Sequence, residues 1–102
     1  MDREMTTDKT AIITGAGSGV GRAAALALAA RGWRVGLIGR TQETLAQTAA
    51  LASGETITAI GDVANPDDVT RMFGEIIAKF GYLDMLVNNA GRGAQGTTID
   101  EM

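Results

Sequence analysis

The sequence predicts an α/β fold built on a doubly wound parallel sheet. Four short apolar runs alternate strictly with three longer amphipathic or alanine-rich segments. Such alternation is typical of parallel strands that are joined by right-handed helical crossovers. Two further observations support it: most of the short runs are apolar throughout, and each long segment stops at a glycine. Continuous apolar runs indicate strands that are covered on both faces.

The predicted strands are Lys9–Thr14, Trp33–Ile38, Glu55–Ile60 and Leu83–Asn88. The first, second and fourth are continuous apolar runs, and we expect helices to cover both of their faces. The third alternates threonine and isoleucine, a pattern that predicts a half-exposed strand at an edge of the sheet.

The predicted helices have recognisable ends. The first spans Val20–Arg31 and stops at Gly32, and the second is capped by Thr41 and runs to about Ala52. The third starts at Asn65, a capping residue followed by proline and two aspartates. Its apolar residues form one stripe: Val69, Met72, Phe73, Ile76, Ile77 and Phe80. Residues 91–102 are rich in glycine and threonine, which predicts a loop that leads into a further helix.

Composition excludes several classes of function. The 102 residues include 12 acidic and 9 basic side chains, and neither cysteine nor histidine. Disulfide scaffolds, thiolate or histidine metal sites and Ser-His-Asp chemistry are therefore excluded, and no metal site is predicted. The net charge of −3 argues against nucleic acid as a partner. No apolar run reaches the ~20 residues of a membrane span, and the polar first ten residues are no signal peptide, so we expect a soluble cytoplasmic protein without membrane contact.

The strongest functional signal is the turn between the first strand and the first helix. Four alternating glycines occupy it: Gly15, Gly17, Gly19 and Gly21. A helix N-terminus offers free N–H groups and a favourable dipole to a pyrophosphate, and side chains would block its approach. We expect Gly15 to make the turn, Gly19 to admit the phosphates and Gly21 to let the helix pack on the strand. A plain glycine turn is the alternative; a Walker P-loop is excluded because Gly-Lys-Ser/Thr is absent.

The spacing Thr14-Gly15-x-x-x-Gly19-x-Gly21 resembles the glycine motif of the short-chain dehydrogenase/reductase family. Two further elements resemble that family, namely Asp62-Val63 after the third strand and Asn88-Asn89-Ala90-Gly91 after the fourth. The resemblance runs from Lys9 to about Gly96. It implies a Rossmann-like sheet of strand order 3-2-1-4. Residues 1–102 would then be the N-terminal, cofactor-binding part of one domain, cut after the fourth strand, which would leave that strand an open parallel edge.

The resemblance implies a set of cofactor-binding residues: Gly15, Ser18, Gly19, Val20, Gly21, Arg40, Thr41, Asp62, Val63, Asn89, Ala90 and Gly91. Asp62 would accept a hydrogen bond from the adenine amino group, or would only cap its loop. Asn88 would steady the fourth strand and often bonds backbone across the sheet in this family. Arg22, in the first helical turn, would contact a phosphate or form a surface ion pair.

The end of the second strand predicts NADP(H) in preference to NAD(H). An acid there would bind the ribose 2′-hydroxyl and repel a 2′-phosphate. This chain has Arg40, whose planar fork suits a phosphate, and no acid before Glu43. Arg40 could instead stack on adenine, and Thr41 could contact the cofactor or only cap its helix. Ser18 argues against the prediction, because NADP-preferring relatives often carry a basic residue there.

No catalytic residue can be assigned. The family uses a Tyr-x-x-x-Lys pair and a serine, but the single tyrosine, Tyr82, is followed four residues on by Leu86. The serines are Ser18 in the turn and Ser53 at a helix end. The resemblance implies an oxidoreductase that moves hydride between nicotinamide and a small carbonyl or alcohol substrate, as a homo-oligomer when full length. We expect these 102 residues alone to be marginally stable and inactive. A non-catalytic dinucleotide-binding or sensing module is the alternative, and a methyltransferase is disfavoured by Gly39-Arg40.

Overall fold

The computed structural model describes residues 9–89 and the backbone of Thr98–Asp100. Its strands are β1 (Thr10–Thr14), β2 (Arg34–Gly39), β3 (Thr56–Ile60), β4 (Met85–Asn88) and β5 (Thr98–Asp100). Its helices are α1 (Gly19–Ala30), α2 (Gln42–Leu51) and α3 (Pro66–Phe80). The first four strands and all three helices lie where the sequence predicts them, with ends that shift by one or two residues.

The strands form one sheet in the order β3-β2-β1-β4-β5, and the first four are parallel. The predicted order 3-2-1-4 is therefore confirmed. Thr14 at the end of β1 is level with Ile38 of β2 and with Asn88 of β4. Because parallel strands end on the same side, the segments that follow β1 to β4 meet along one edge of the sheet. Ligands of such sheets bind at this edge, where the chain order reverses, which here is beside β1.

The core has two layers, one on each face of the sheet. On one face α1 and α2 cover a cluster that includes Ile13, Leu37 and Leu45. On the other face α3 is the helix of the described residues that covers Ile12 and Ile38, with Met72, Ile76 and Phe80. The predicted apolar stripe of α3 is the surface that packs on the sheet, with its remaining members half-buried. β3 is an edge strand, as its alternating sequence predicts.

The ends of α3 follow from its sequence. The Asn65 side chain accepts hydrogen bonds from the N–H groups of Asp67 and Asp68, at 2.9 and 3.3 Å. Gly81 ends the helix with a φ of 93°, in the left-handed region that favours glycine. Thr41 occupies the N-cap position of α2, as predicted, but its side chain makes no capping hydrogen bond. The predicted start of the helix is therefore correct, and the expected capping bond is absent.

Two predictions about the end of the chain are wrong. Residues 98–100 form a strand where a loop leading into a further helix was expected, and this strand pairs antiparallel with β4. β-branched residues favour a strand at Thr98-Ile99, and the exposed N–H and C=O groups of β4 offer it a template. The expected open edge of β4 is therefore occupied. β4 is also less covered than predicted, because only Val87 is buried, while Met85 and Leu86 are half-buried.

None of the helices in the described part of the chain has the length and apolar character needed to cross a bilayer.

Candidate functional site

The turn after β1 is anchored from both sides. Gly15 has a φ of 66°, the left-handed conformation that turns the chain. Ala16 is fully buried, and its N–H donates to the Ile38 carbonyl at the end of β2, at 3.0 Å. The Ala16 carbonyl accepts from the buried Thr48 hydroxyl of α2 at 2.8 Å. The turn is therefore held in place by β2 and α2 before α1 begins.

The first turn of α1 contains backbone donors that have no acceptor within the helix. Ser18 occupies the N-cap with extended backbone (φ −163°, ψ 171°), and its side chain makes no capping bond. The first helical bond runs from Arg22 N–H to Ser18 O at 3.2 Å. The N–H groups of residues 19–21 precede that bond and have no acceptor within the helix. No acidic side chain lies in this turn, so the positive end of the helix dipole is not neutralised there.

Gly19 leaves this helix end unobstructed. Its φ of 56° is in the left-handed region, and a Cβ built on it would meet no atom of the described residues within 4 Å. The open volume lies at the same end of α1 as the free N–H groups. An anion can therefore approach the backbone here without meeting a side chain, which fits a diphosphate.

Gly21 is required by close packing. A Cβ at Gly21 would overlap the Gly15 carbonyl, lying 2.7 Å from its carbon, and would lie 2.8 Å from Asn89 Nδ2. The close approach at Gly21 is to the turn and to Asn89, whereas the expected contact was with β1. Asn89 donates from Nδ2 to Gly15 O at 3.4 Å, and its backbone N–H donates to Thr14 Oγ1 at 2.8 Å.

β1 and β4 are joined at this edge by side chains as well as backbone. The Thr14 hydroxyl donates to Asn88 Oδ1 at 3.0 Å. Asn88 therefore bonds to a side chain across the sheet, whereas the alternative considered for it was a bond to backbone. Ala90 and Gly91, two further predicted cofactor residues, lie outside the described residues.

The segment after β2 carries the predicted 2′-phosphate site. Arg40 and Thr41 are exposed, and within the described residues Arg40 has no hydrogen-bond or ion-pair partner. Thr41 contributes its backbone carbonyl to the Thr44 hydroxyl at 3.1 Å. The first acidic residue after β2 is Glu43, inside α2. Ser18 and Val20 are exposed on the neighbouring turn.

The segment after β3 is fixed by the first turn of α3. Asp62 N–H donates to Asp68 Oδ2, and Asp62 Oδ1 accepts from Ala64 N–H, both at 2.9 Å. The loop-capping role considered for Asp62 is thus present in the structure. Val63 is half-buried and packs on the cluster beneath α3. The loop therefore has a defined shape at the site edge.

The structure gives Arg22 a role that neither expectation described. Its guanidinium donates to four neutral oxygens: Gly17 O and Thr48 Oγ1 at 2.8 Å, and Thr44 O and Gln47 Oε1 at 3.2 Å. Sequence reasoning missed this contact between α1, the turn and α2. The available signal was Thr48, a hydroxyl on the face of α2 that also carries Leu45.

Comparison with known proteins agrees with the glycine motif. A family model described as short chain dehydrogenase matches residues 9–102. The 11-beta-hydroxysteroid dehydrogenase-like 2 of Arabidopsis thaliana is 41% identical over 92 residues, or 86% of this chain and 30% of the relative. The 3-oxoacyl-(acyl-carrier-protein) reductase of Synechocystis sp. is 41% identical over 90 residues, or 83% of this chain and 36% of the relative. The chain spans about a third of the length of the curated relatives it matches.

Solved structures agree with the sheet. The 3-ketoacyl-ACP reductase of Sinorhizobium meliloti 1021 superposes with a TM-score of 0.77 at 44% identity, covering 81% of this chain and 34% of that chain. L-sorbose reductase of Gluconobacter frateurii, solved with NADPH and L-sorbose, gives 0.78 at 34% identity over 84% and 34%. The 3-ketoacyl-(acyl-carrier-protein) reductase of Brucella melitensis, solved with NADH, gives 0.79 at 35% identity over 83% and 35%. Similar structures thus hold either dinucleotide.

Proposed function

The chain belongs to the short-chain dehydrogenase family, and on that premise we propose that it binds a nicotinamide dinucleotide with the diphosphate at the turn between β1 and α1. The observation that carries the proposal is the free end of α1. The N–H groups of residues 19–21 have no acceptor within the helix, and a Cβ built on the left-handed Gly19 would meet no atom of the described residues within 4 Å. Backbone donors and the helix dipole together stabilise an anion at that point.

The remaining predicted contacts complete the proposed site. Asp62 and Val63 would take the adenine, with Asp62 accepting from its amino group. Asn89, Ala90 and Gly91 would lie beside the adenosine ribose. Support for this arrangement comes from the sheet, because all of these residues follow the carboxyl ends of parallel strands.

We propose NADP(H) in preference to NAD(H). Arg40 is exposed at the end of β2, and no carboxylate lies between it and Glu43 to repel a 2′-phosphate. A hydrogen bond between charged groups contributes ~1.5–3 kcal/mol net, which corresponds to roughly tenfold to a hundredfold in affinity. NADPH and NADH both occur in similar structures, so the fold alone does not select between them. We therefore expect the preference to depend on side chains such as Arg40.

We further propose that the whole protein is an oxidoreductase acting on a carbonyl or alcohol substrate. The dinucleotide supplies the hydride chemistry, and residues 9–91 bind and orient it. Tyr82 is followed at the fourth position by Leu86 rather than lysine, so we expect the 102-residue chain to bind dinucleotide without turning over substrate.

Calorimetric titration of the chain with NADPH and NADH tests the proposal. NADPH is expected to bind about tenfold or more tightly, and Arg40→Ala is expected to remove most of that difference. Arg31→Ala is a matched control, since Arg31 is also exposed but ends α1 away from the turn. Equal affinity, or tighter NADH binding, would contradict the proposed preference; binding of neither dinucleotide would contradict the site itself.

A further inference from the structure

A hydrogen-bonded bridge joins the glycine turn to α2. Arg22 donates to the Gly17 carbonyl and to the Thr48 hydroxyl, each at 2.8 Å. Thr48 is fully buried and donates in turn to the Ala16 carbonyl at 2.8 Å. Two successive carbonyls of the turn are therefore held by side chains from two helices. We call Arg22 and Thr48 with these two carbonyls the turn bridge.

The turn bridge holds the backbone that leads into the first turn of α1. The Ser18 side chain makes no capping bond there, and the local bond runs from Arg22 N–H to Ser18 O at 3.2 Å. Contacts from outside the turn therefore help to set the position of the N–H groups of residues 19–21. A second close contact supports this, because a Cβ at Gly17 would lie 3.0 Å from Thr44 Cβ of α2.

The same bridge extends towards the loop after β2. Arg22 also donates to the Thr44 carbonyl at 3.2 Å, and the Thr44 hydroxyl donates to Thr41 O at 3.1 Å. Thr41 adjoins Arg40, the proposed 2′-phosphate ligand. A chain of hydrogen bonds thus runs from the diphosphate turn to the ribose end of the site.

From this geometry we propose that Arg22 and Thr48 are positioning residues, which hold the diphosphate turn and the Arg40–Thr41 loop in one register through α2. The inference rests on the proposed dinucleotide function. The planar fork of the guanidinium directs several N–H groups at once, and the four oxygens that accept from it are all neutral. Lysine carries the same charge but lacks this fork.

Paired substitutions separate geometry from charge. Arg22→Lys keeps the charge and loses the fork, whereas Arg22→Met loses both. Thr48→Val removes the hydroxyl at nearly constant volume, and Thr48→Ser restores it. Arg31→Lys and Thr70→Val are matched controls on exposed helix positions away from the turn. Affinities for NADPH and NADH are measured by calorimetry below the unfolding temperature of each variant.

We expect Arg22→Lys, Arg22→Met and Thr48→Val to lower the affinity for both dinucleotides by on the order of tenfold or more. Small displacements of the groups that contact a ligand have effects of this size. The ratio of NADPH to NADH affinity should also fall, because the same bridge holds the Arg40–Thr41 loop that would bind the 2′-phosphate. Thr48→Ser and the controls should bind like the unmodified chain. Arg22→Lys binding like the unmodified chain would overturn the proposal.

Hydrogen exchange of the Ala16 amide gives a readout that needs no ligand. This N–H donates to Ile38 O at 3.0 Å, and its exchange reports opening of the turn. We expect faster exchange in Arg22→Lys and Thr48→Val with little change in the amides of β1, and recovery in Thr48→Ser. Unchanged exchange would overturn the proposed bridge even if binding falls.

If the unmodified chain binds neither dinucleotide, the proposed function fails, and exchange alone still decides whether the bridge holds the turn. Should Thr48→Val not fold, the half-buried Arg22 variants decide.

Discussion

Gly21 lies where the turn leaves no volume for a side chain. A Cβ there would overlap the Gly15 carbonyl, a backbone group that cannot rotate away. We expect Gly21→Ala to destabilise the fold by roughly 2–3 kcal/mol, as overpacking does, and to displace the free end of α1 so that dinucleotide binding is lost. Gly19→Ala introduces no clash, so we expect it to lower stability only through the strain of a non-glycine residue at a φ of 56°, by about 1–2 kcal/mol. Urea denaturation and calorimetry measure both; a neutral Gly21→Ala would contradict the packing.

At this scale the sequence predicts backbone requirements better than side-chain partners. Spacing alone identified Gly15 and Gly21, because left-handed backbone and close approach both exclude other residues. The partners of Arg22 could not be found in the same way. Three of the four come from α2, more than twenty residues away in sequence. From the sequence alone, an arginine in the first turn of a helix fits a phosphate, an ion pair or a group of carbonyls equally well.

Capping shows how far element boundaries follow from local chemistry. Asn65 accepts from two backbone N–H groups, whereas Thr41, in the same position on α2, accepts from none. We expect Asn65→Ala to cost about 1 kcal/mol and Asn65→Asp much less, since both asparagine and aspartate cap well. Thr41→Ala is the matched control and should cost only a few tenths of a kcal/mol. Thermal unfolding measures all three, and equal losses at the two caps would contradict the hydrogen-bond assignment.

β2 and α3 pack closely because Gly36 of β2 carries no side chain. A Cβ at Gly36 would lie 2.7 Å from Ile76 Cγ2 and 3.2 Å from Ile12 Cγ1. We expect Gly36→Ala to destabilise the chain by about 1–3 kcal/mol. Ile76→Ala should cost less in the Gly36→Ala background than in the unmodified chain, because it removes both Cγ2 and Cδ1, the two Ile76 atoms that the new methyl meets. Additive losses in a double-mutant cycle would show that the two positions are not coupled.

Helices and strands were predictable as far as each is determined by its own residues. The stripe of α3 and the alternation of β3 report which surface is buried, and both were confirmed. β5 was not predictable, because residues 98–100 form a strand only by pairing with the edge of β4. That pairing depends on the assembled sheet. The glycine and threonine residues before β5 predict a loop, and a loop can lead into a helix or into a strand.

For the whole molecule, the two-layer core links ligand binding to stability. The proposed diphosphate site lies between α1 and the ends of β1 and β4, so an occupied site joins elements from the centre of the sheet. A ligand that binds only the folded state at a hundred times its Kd adds about 2.7 kcal/mol. For a domain of this size that corresponds to a rise in Tm of roughly 10 °C or more. We expect NADPH to produce this shift and NADH a smaller one at equal concentration. In Arg40→Ala the two shifts should become similar, while Gly21→Ala should show neither. A shift of equal size with adenosine alone would contradict a site built around the diphosphate, because adenosine carries no phosphate for the free end of α1 to bind.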